Sequence, residues 1–136
     1  MSTSMTQTSG LLIARILLGV LFVMAGIGKL GDVQGFAGYM ASGGVPAILA
    51  WPVILLEIIG GLALIVGFQT RLAALALGLF SLASGVLYHY VPGDQMQMTM
   101  FLKNIALTGG YLALAIAGPG DWSLDRVMGG AAPQRA

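Results

Sequence analysis

Four long apolar stretches dominate the sequence and constrain the chain to a helical membrane bundle. They cover residues 10–28, 46–67, 72–91 and 99–117, and each is close to the ~20 residues that an α-helix needs to cross ~30 Å of hydrocarbon. Charged residues make up only 8% of the chain, against about 25% in a typical soluble domain. A soluble protein of 136 residues would need more charged side chains than this on its surface. Lipid must therefore replace water over most of the surface.

The segments between and after these stretches predict two short accessory helices. Asp32 is the expected N-cap of an interfacial helix between the first two spans, and Gly43 and Gly44 would end it. Residues 121–136 are expected to form a cytoplasmic tail that opens with an amphipathic helix capped by Asp121. Pro46 is the expected first residue of the second transmembrane helix. The predicted fold class is an all-α membrane protein, a single four-helix transmembrane bundle.

Small residues indicate that these helices approach one another closely. Pairs at four-residue spacing, or adjacent glycines, let helix backbones touch. The candidates are Ala74/Gly78, Ser81/Gly85, Ala106/Gly110, Gly60–Gly61 and Gly109–Gly110.

The positions of the basic residues indicate the orientation of the bundle. Arg71, Arg126 and Arg135 lie on the same side as the termini, whereas Lys29 and Lys103 lie on the other. This excess favours both termini in the cytoplasm. The first stretch is not expected to be a cleaved signal peptide, because the residues before it include no lysine or arginine.

Composition excludes several kinds of chemistry. The chain has no cysteine, which excludes disulfides, dithiol relays, thiolate metal sites and cysteine nucleophiles within it. A single histidine argues against a zinc site, and no metal site is predicted. A net charge of +1 creates no field for nucleic acid.

The ionisable residues inside the apolar stretches are the strongest functional candidates. A charge in hydrocarbon costs at least ~2.5–3.5 kcal/mol on insertion scales and must be matched. Glu57 lies near the middle of the second span and is the best candidate to exchange a proton or accept a hydrogen bond. Arg15, Lys103 or Asn104 could each be its partner, and an ion pair that merely fixes helix register is the alternative. Lys29 is expected to be an interfacial anchor.

Helical spacing places further residues beside these charges. Phe22 shares a face of the first span with Arg15, and Tyr111 shares a face of the fourth span with Asn104. His89 lies at the outer end of the third span and is either a ligand contact or a solvated interfacial histidine. The predicted ligand-binding residues are Arg15, Phe22, Glu57, His89, Lys103, Asn104 and Tyr111.

A series of short motifs follows these residues along the chain. They are Arg15 with Gly19, Phe22 and Gly26; Gly28-Lys29-Leu30; Gly44-Val45-Pro46; Glu57 followed by Gly60-Gly61; Gly67 through Thr70-Arg71; Phe101 through Lys103-Asn104; and Gly118-Pro119-Gly120. In order and spacing, over about residues 10 to 126, they resemble the DoxX family of small membrane proteins.

The resemblance implies a four-helix protein of the bacterial inner membrane. Members and relatives of that family are associated with quinone-linked thiosulfate oxidation, with membrane oxidoreductase complexes and with resistance to catechols and quinones. The expectation is an accessory subunit, or one that interacts with a quinone or another small lipophile such as a catechol, in a membrane redox or detoxification system with an oxidoreductase as a candidate partner. Whether the chain is itself an enzyme stays open. The alternatives are a membrane scaffold that binds soluble partners through Arg71 and the tail, or a small-solute transporter or channel that works as a homo-oligomer.

Overall fold

Six α-helices make up most of the computed structural model, which describes residues 4–129. Predictions that concern residues 1–3 and 130–136, including the place of Arg135, lie outside the described residues. The helices are α1 Met5–Lys29, α2 Val33–Ser42, α3 Ala50–Val66, α4 Thr70–Ser84, α5 Gln95–Ala117 and α6 Leu124–Met128.

Within the described residues, four helical segments are long and apolar enough to cross a membrane, which confirms the predicted all-α membrane fold. They are Met5–Ser42, in which α1 runs on into α2, then Ala47–Val66, Thr70–His89 and Gln95–Ala117. α1 begins at Met5, before the apolar stretch that starts at residue 10, because Ser4 and Gln7 form a capping box. The Ser4 hydroxyl accepts a hydrogen bond from Gln7 N at 3.1 Å, and the Gln7 side chain accepts one from Ser4 N at 3.2 Å.

The caps of the short helices were predicted with mixed success. Asp32 caps α2 by accepting a hydrogen bond from Gly35 N at 2.9 Å, and α2 ends at Gly43, as expected. The prediction that Asp121 caps the tail helix was wrong. Ser123 caps α6 instead, because its hydroxyl accepts the hydrogen bond from Arg126 N at 3.2 Å.

The second and third spans also begin and end differently from the prediction. Pro46 is not the first residue of α3, because a 3₁₀ turn, Ala47–Leu49, separates it from the helix. At the same end of the bundle, α4 does not continue as an α-helix to residue 91. It passes into a π-helical turn, Gly85–His89, which the apolar pattern gave no reason to expect.

Glycines bring α1 and α3 into backbone contact. A Cβ atom on Gly19 would lie 2.5 Å from the Gly61 carbonyl oxygen, and one on Gly61 would lie 2.6 Å from the Gly19 carbonyl oxygen. Further along, a Cβ atom on Gly26 would lie 3.2 Å from the Cβ atom of Glu57. A larger residue at Gly19 or Gly61 would collide with the backbone of the facing helix. The contact therefore sets Glu57 directly against the last turns of α1.

α4 and α5 pack through a second set of small residues. A Cβ atom on Gly78 would lie 3.1 Å from Tyr111 Cβ, and one on Gly85 would lie 2.9 Å from Asn104 Cβ. The predicted role of these two glycines is confirmed. The same role was wrong for Gly109, because none of the described atoms lies within 4 Å of the position its Cβ atom would take.

The outer surface of the bundle is apolar. Leu17, Leu79 and Ile116 are each about two-thirds exposed, as expected of side chains that face lipid. The core is formed by Phe22, Leu64, Ala73, Ala74, Leu77, Tyr111, Leu114 and Ala115. Charged groups depart from this simple pattern at two places, one at each end of the bundle.

Candidate ligand-binding cavity

A cavity of about 400 Å³ lies among α1, α3, α4 and α5, with α2 along its side. Its aromatic wall comprises Phe22, Phe36, Tyr39, Phe80 and Tyr88. Its polar wall comprises Lys29, Glu57, Ser81, Ser84, His89, Lys103 and Asn104. This volume, and a largely apolar lining with a few convergent polar groups, are typical of sites for small organic molecules.

Glu57 forms an ion pair with Lys29 in the wall of this cavity. The Glu57 side chain is 2% exposed, and its Oε1 and Oε2 atoms lie 3.0 Å and 3.1 Å from Lys29 Nζ. The same ammonium group lies 5.1 Å from the centre of the Phe36 ring and donates to the Ala25 carbonyl at 3.4 Å. It is therefore held by a carboxylate, a carbonyl and an aromatic face.

The identity of the partner corrects two sequence-based predictions. Glu57 pairs with Lys29, and not with Arg15, Lys103 or Asn104. Lys29 is therefore more than an interfacial anchor. Side chains on a helix lean towards its N-terminus. Lys29 at the end of α1 therefore leans into the bundle, while Glu57 leans along α3 towards the same level. The close approach at Gly26 brings the two together.

Two buried polar atoms in the cavity wall have no hydrogen-bond partner among the described residues. One is Glu57 Oε1, since the hydrogen-bond geometry to Lys29 is satisfied only at Oε2 despite the short Oε1–Nζ distance. The other is the Ser81 hydroxyl, in a side chain that is 1% exposed. A buried polar atom without a partner costs about 1–3 kcal/mol. Both residues line the cavity, so a bound molecule that reaches these atoms could satisfy them.

Asn104 and Lys103 lie side by side in the sequence but differ in how they are held. Asn104 Nδ2 donates to the Ser81 carbonyl and to the Ser84 hydroxyl, both at 3.1 Å, so this amide is fixed. Lys103 is exposed and lines the cavity, and within residues 4–129 it has neither an ion pair nor a hydrogen bond. Its ammonium group remains available to a ligand.

The π-helical turn at the end of α4 forms another part of the wall. Leu87, Tyr88 and His89 all line the cavity, and π-helical turns of this kind often occur at functional sites. His89 Nδ1 lies 2.7 Å from Gln97 Oε1. Tyr88 donates a hydrogen bond to the Met40 carbonyl at 2.7 Å and so connects this turn to the end of α2.

Arg15 and Tyr111 do not line the cavity. Arg15 is 1% exposed and donates to the carbonyls of Leu64 at 3.3 Å, Ile65 at 3.4 Å and Trp122. The Leu64 and Ile65 carbonyls belong to the last turn of α3, where helical carbonyls lack partners within the helix. Arg15 is therefore a C-terminal helix cap at the other end of the bundle.

Tyr111 acts on the cavity only through a neighbour. Its hydroxyl donates to the Leu18 carbonyl at 2.8 Å, and its ring centre lies 5.7 Å from that of Phe22, which does line the cavity. The predicted residues that the cavity brings together are Phe22, Glu57, His89, Lys103 and Asn104. The ones that the predictions missed are chiefly Lys29, Ser81 and Tyr88. Lys29 carried a signal, its place on the same α1 face as Phe22.

A group of charged side chains that we call the capping cluster, Arg15, Arg71 and Asp125, lies opposite the cavity. Asp125 accepts hydrogen bonds from Gln69 N at 2.7 Å and Thr70 N at 2.9 Å, at the first turn of α4. Arg71 donates to the Ala115 and Ile116 carbonyls at 2.9 and 2.6 Å, in the last turn of α5. Each of these charges satisfies backbone groups at a helix end.

Comparison with known proteins agrees with the helical membrane architecture. The chain is 44% identical to the inner membrane protein YqjF of Escherichia coli (strain K12), over 88% of this chain and 92% of the relative. It is 36% identical to the inner membrane protein YphA of the same organism, over 85% and 88% of the two chains. It is 27% identical to a Bacillus subtilis (strain 168) protein named "Putative oxidoreductase CatD", over 77% and 78%. No solved structure matches the chain.

The family assignment follows from a match that begins in α1 and ends just after the π-helical turn. The model of the DoxX family matches residues 10–90. These residues include the Lys29–Glu57 pair and the crossing of α1 and α3. The chain belongs to the DoxX family.

Proposed function

We propose that this protein is a membrane subunit that binds a small lipophilic molecule bearing ring oxygens, of the quinone or diphenol class. In this proposal it serves a membrane redox or detoxification system as an accessory component. The single observation that carries the proposal is the cavity of about 400 Å³, which joins an aromatic wall to a buried carboxylate with an unpartnered oxygen.

The shape and chemistry of the cavity favour a flat ring with oxygens at its edge. Phe22 and Phe80 meet edge to face with ring centres 5.7 Å apart, and Tyr39 stacks on Tyr88 at 5.0 Å. Such surfaces accommodate an aromatic or quinonoid ring. Lys103 and Ser81 can donate hydrogen bonds to oxygens of that ring, and Glu57 can accept one.

The relatives support the cellular setting of the proposal. Two are named inner membrane proteins, and a third carries the name "Putative oxidoreductase CatD". We place this chain in the inner membrane with both termini in the cytoplasm, because Arg71 and Arg126 lie at the end of the bundle that carries the tail. Reporter domains fused to the C-terminus, active only on one side of the membrane, test this orientation.

Binding to purified protein tests the proposed function directly. Duroquinone, duroquinol and 4-tert-butylcatechol are suitable probes, and binding to the protein in mild detergent is followed by native mass spectrometry and by calorimetry. Ala25 lines the cavity, whereas Ala106 is exposed on the outer face of α5. Ala25→Phe fills the cavity, so it should weaken binding at least a hundredfold, and Ala106→Phe should leave binding within about twofold.

The pattern across the two variants decides the proposal. Loss of binding in Ala25→Phe alone supports a ligand in the cavity. Binding that survives Ala25→Phe places the ligand elsewhere, and the absence of binding by all three probes contradicts the proposed function. Co-purification of an oxidoreductase with both variants and with the unaltered chain, with no bound lipophile in any of them, would instead favour a scaffold.

A further inference from the structure

We infer that the cavity selects the hydroxyl-bearing, reduced form of its ligand, a diphenol, over the quinone. This inference rests on the proposed function, since it assumes that a ring with oxygen substituents occupies the cavity. It comes from the hydrogen-bond capacity of the polar wall rather than from its size. Some polar groups in this wall bind a hydroxyl group and a carbonyl oxygen equally well, and one of them favours the hydroxyl group.

The donors in the wall do not distinguish the two forms. Lys103 has no partner within residues 4–129, and its ammonium group can donate to a phenol oxygen or a quinone oxygen alike. The Ser81 hydroxyl can rotate to donate or to accept. Both would bind a diphenol and a quinone through the same atoms.

Glu57 does distinguish them. It is paired with the Lys29 ammonium group at 3.0 and 3.1 Å, and as the carboxylate member of this ion pair it can only accept hydrogen bonds. Glu57 lines the cavity, and its buried Oε1 atom lies 3.0 Å from Lys29 Nζ but receives no hydrogen bond of good geometry from any described residue. A ligand hydroxyl would supply the missing donor, and a bond from a hydroxyl to a carboxylate is among the stronger hydrogen bonds in proteins.

A quinone offers the opposite chemistry at the same position. Its carbonyl oxygens carry lone pairs and no hydrogen, so one placed against Oε1 would leave the carboxylate unsatisfied and face it with like partial charge. Lys29 offsets only part of this loss, because its ammonium group lies 3.0 Å from Oε1 but makes its hydrogen bonds to Oε2 and the Ala25 carbonyl. The expected preference for the diphenol is at least tenfold.

Three ring compounds of nearly equal size test the inference. Duroquinol carries two hydroxyl groups, its dimethyl ether carries two oxygens without hydrogens, and duroquinone carries two carbonyl groups. The four methyl groups on the ring block addition by lysine. Binding is measured without oxygen in the full chain, and duroquinol should bind at least tenfold more tightly than either of the others.

Two variants test whether Glu57 is the source of the preference for duroquinol. Glu57→Gln introduces an amide that can donate to a carbonyl, so the preference should fall to within about threefold. Lys29→Met combined with Glu57→Gln removes both charges and gives the same test if the single variant folds poorly. Ser81→Ala is the matched control, because it should weaken all three compounds alike and leave their ratio unchanged.

The results separate this inference from the function beneath it. Equal binding of duroquinol and duroquinone, lost in Ala25→Phe, would overturn the inference and leave the cavity as the binding site. A preference that persists in both Glu57 variants would also overturn it, because the carboxylate would then not be its source. If none of the three compounds binds, the inference fails together with the proposed function.

Discussion

The two ends of the bundle use buried charge in opposite ways. In the capping cluster, Arg15 donates to the carbonyls of Leu64, Ile65 and Trp122, so charge is matched against the free backbone groups of helix ends. In the cavity, Glu57 and Lys29 are matched against each other, and one carboxylate oxygen is left without a hydrogen bond. The first arrangement stabilises the fold, whereas the second leaves capacity for a ligand.

This contrast shows why an intramembrane charge cannot be interpreted from its residue type alone. Arg15 and Lys29 belong to the same face of α1, which also carries Gly19, Phe22 and Gly26. From the sequence, Arg15 was a candidate partner of Glu57 and Lys29 was expected only to anchor the helix at the interface. What separates them is the nature of the neighbouring acceptor, which is backbone for Arg15 and a side chain for Lys29.

Replacing Arg15 by methionine should produce the largest loss of stability. Methionine has a similar length but leaves the Ile65 and Trp122 carbonyls without the donor that Arg15 supplies, at about 1–3 kcal/mol each, whereas the Leu64 carbonyl keeps Gly67 N at 3.2 Å. The free energy of unfolding in detergent should therefore fall by about 4 kcal/mol or more. Arg126→Met is the control, because Arg126 forms only a partly exposed pair with Asp121 at 3.5 Å and should change stability by less than about 1 kcal/mol.

The affinity for a ligand in the cavity should not change when Arg15 is replaced by methionine. Arg15 does not line the cavity, so the affinity per folded molecule of Arg15→Met should stay within about twofold of the unaltered chain. Loss of affinity without loss of stability would show that the two ends of the bundle are not separate in function. Arg15→Lys, which keeps the charge with fewer donors, provides a milder variant for the same comparison.

The two members of the cavity pair should respond unequally to removal. Lys29→Met leaves a carboxylate that is 2% exposed without its counterion, which should cost about 3 kcal/mol. Glu57→Gln leaves an ammonium group that is 26% exposed and can turn towards water, so we expect about 1 kcal/mol. Thermal unfolding of the two single variants measures this difference. Equal losses would mean that Glu57 is not sequestered from water in the folded protein.

Removing one carboxylate oxygen from Asp125 should have a smaller effect at the capping cluster. Asp125→Asn keeps one acceptor for the amides of Gln69 and Thr70 and directs an NH₂ group at the other. The expected loss is about 1–2 kcal/mol of unfolding free energy, as for other N-cap substitutions. An unchanged free energy of unfolding in detergent would contradict the assigned role of Asp125.

The sequence predicted the parts of the fold that depend on local pattern. Span length and apolar content predicted the four membrane helices, and Asp32 and Gly43 predicted the bounds of α2, because a cap acts on its own neighbouring residues. The same kind of reasoning failed between Asp121 and Ser123, where two suitable capping residues lie two positions apart. Only the path of the chain decides which of them reaches the free amide.

The site was predicted in part because its decisive contacts are not local. Glu57 and Asn104 could be identified as polar residues in apolar spans, but the Lys29–Glu57 pair depends on the approach of α1 to α3 at Gly26. The π-helical turn that presents Tyr88 has no comparable signal in the sequence. The cavity has no such signal in the sequence either, because the packing of four helices decides whether an apolar residue lines the cavity or faces lipid.

The smallest expected effect concerns the attachment of α2 beside the cavity. Tyr88 donates to the Met40 carbonyl at 2.7 Å and stacks on Tyr39, so Tyr88→Phe removes the hydrogen bond and keeps the ring contact. A hydrogen bond of this kind contributes about 1 kcal/mol. Hydrogen exchange of the α2 amides should therefore become about fivefold faster, while exchange in the first turns of α4 should not change.

Tyr90→Phe is the matched control for this effect. Tyr90 contacts Phe101 with its ring, but its hydroxyl donates no hydrogen bond to any of the described residues. Its removal should therefore leave α2 exchange unchanged. If Tyr88→Phe also speeds release of a bound diphenol while Arg15→Met does not, the attachment of α2 governs access to the cavity. If Tyr88→Phe leaves the hydrogen exchange of the α2 amides unchanged, apolar contacts rather than this hydrogen bond hold α2 in place. The two ends of the bundle would then differ only in how their buried charges are matched.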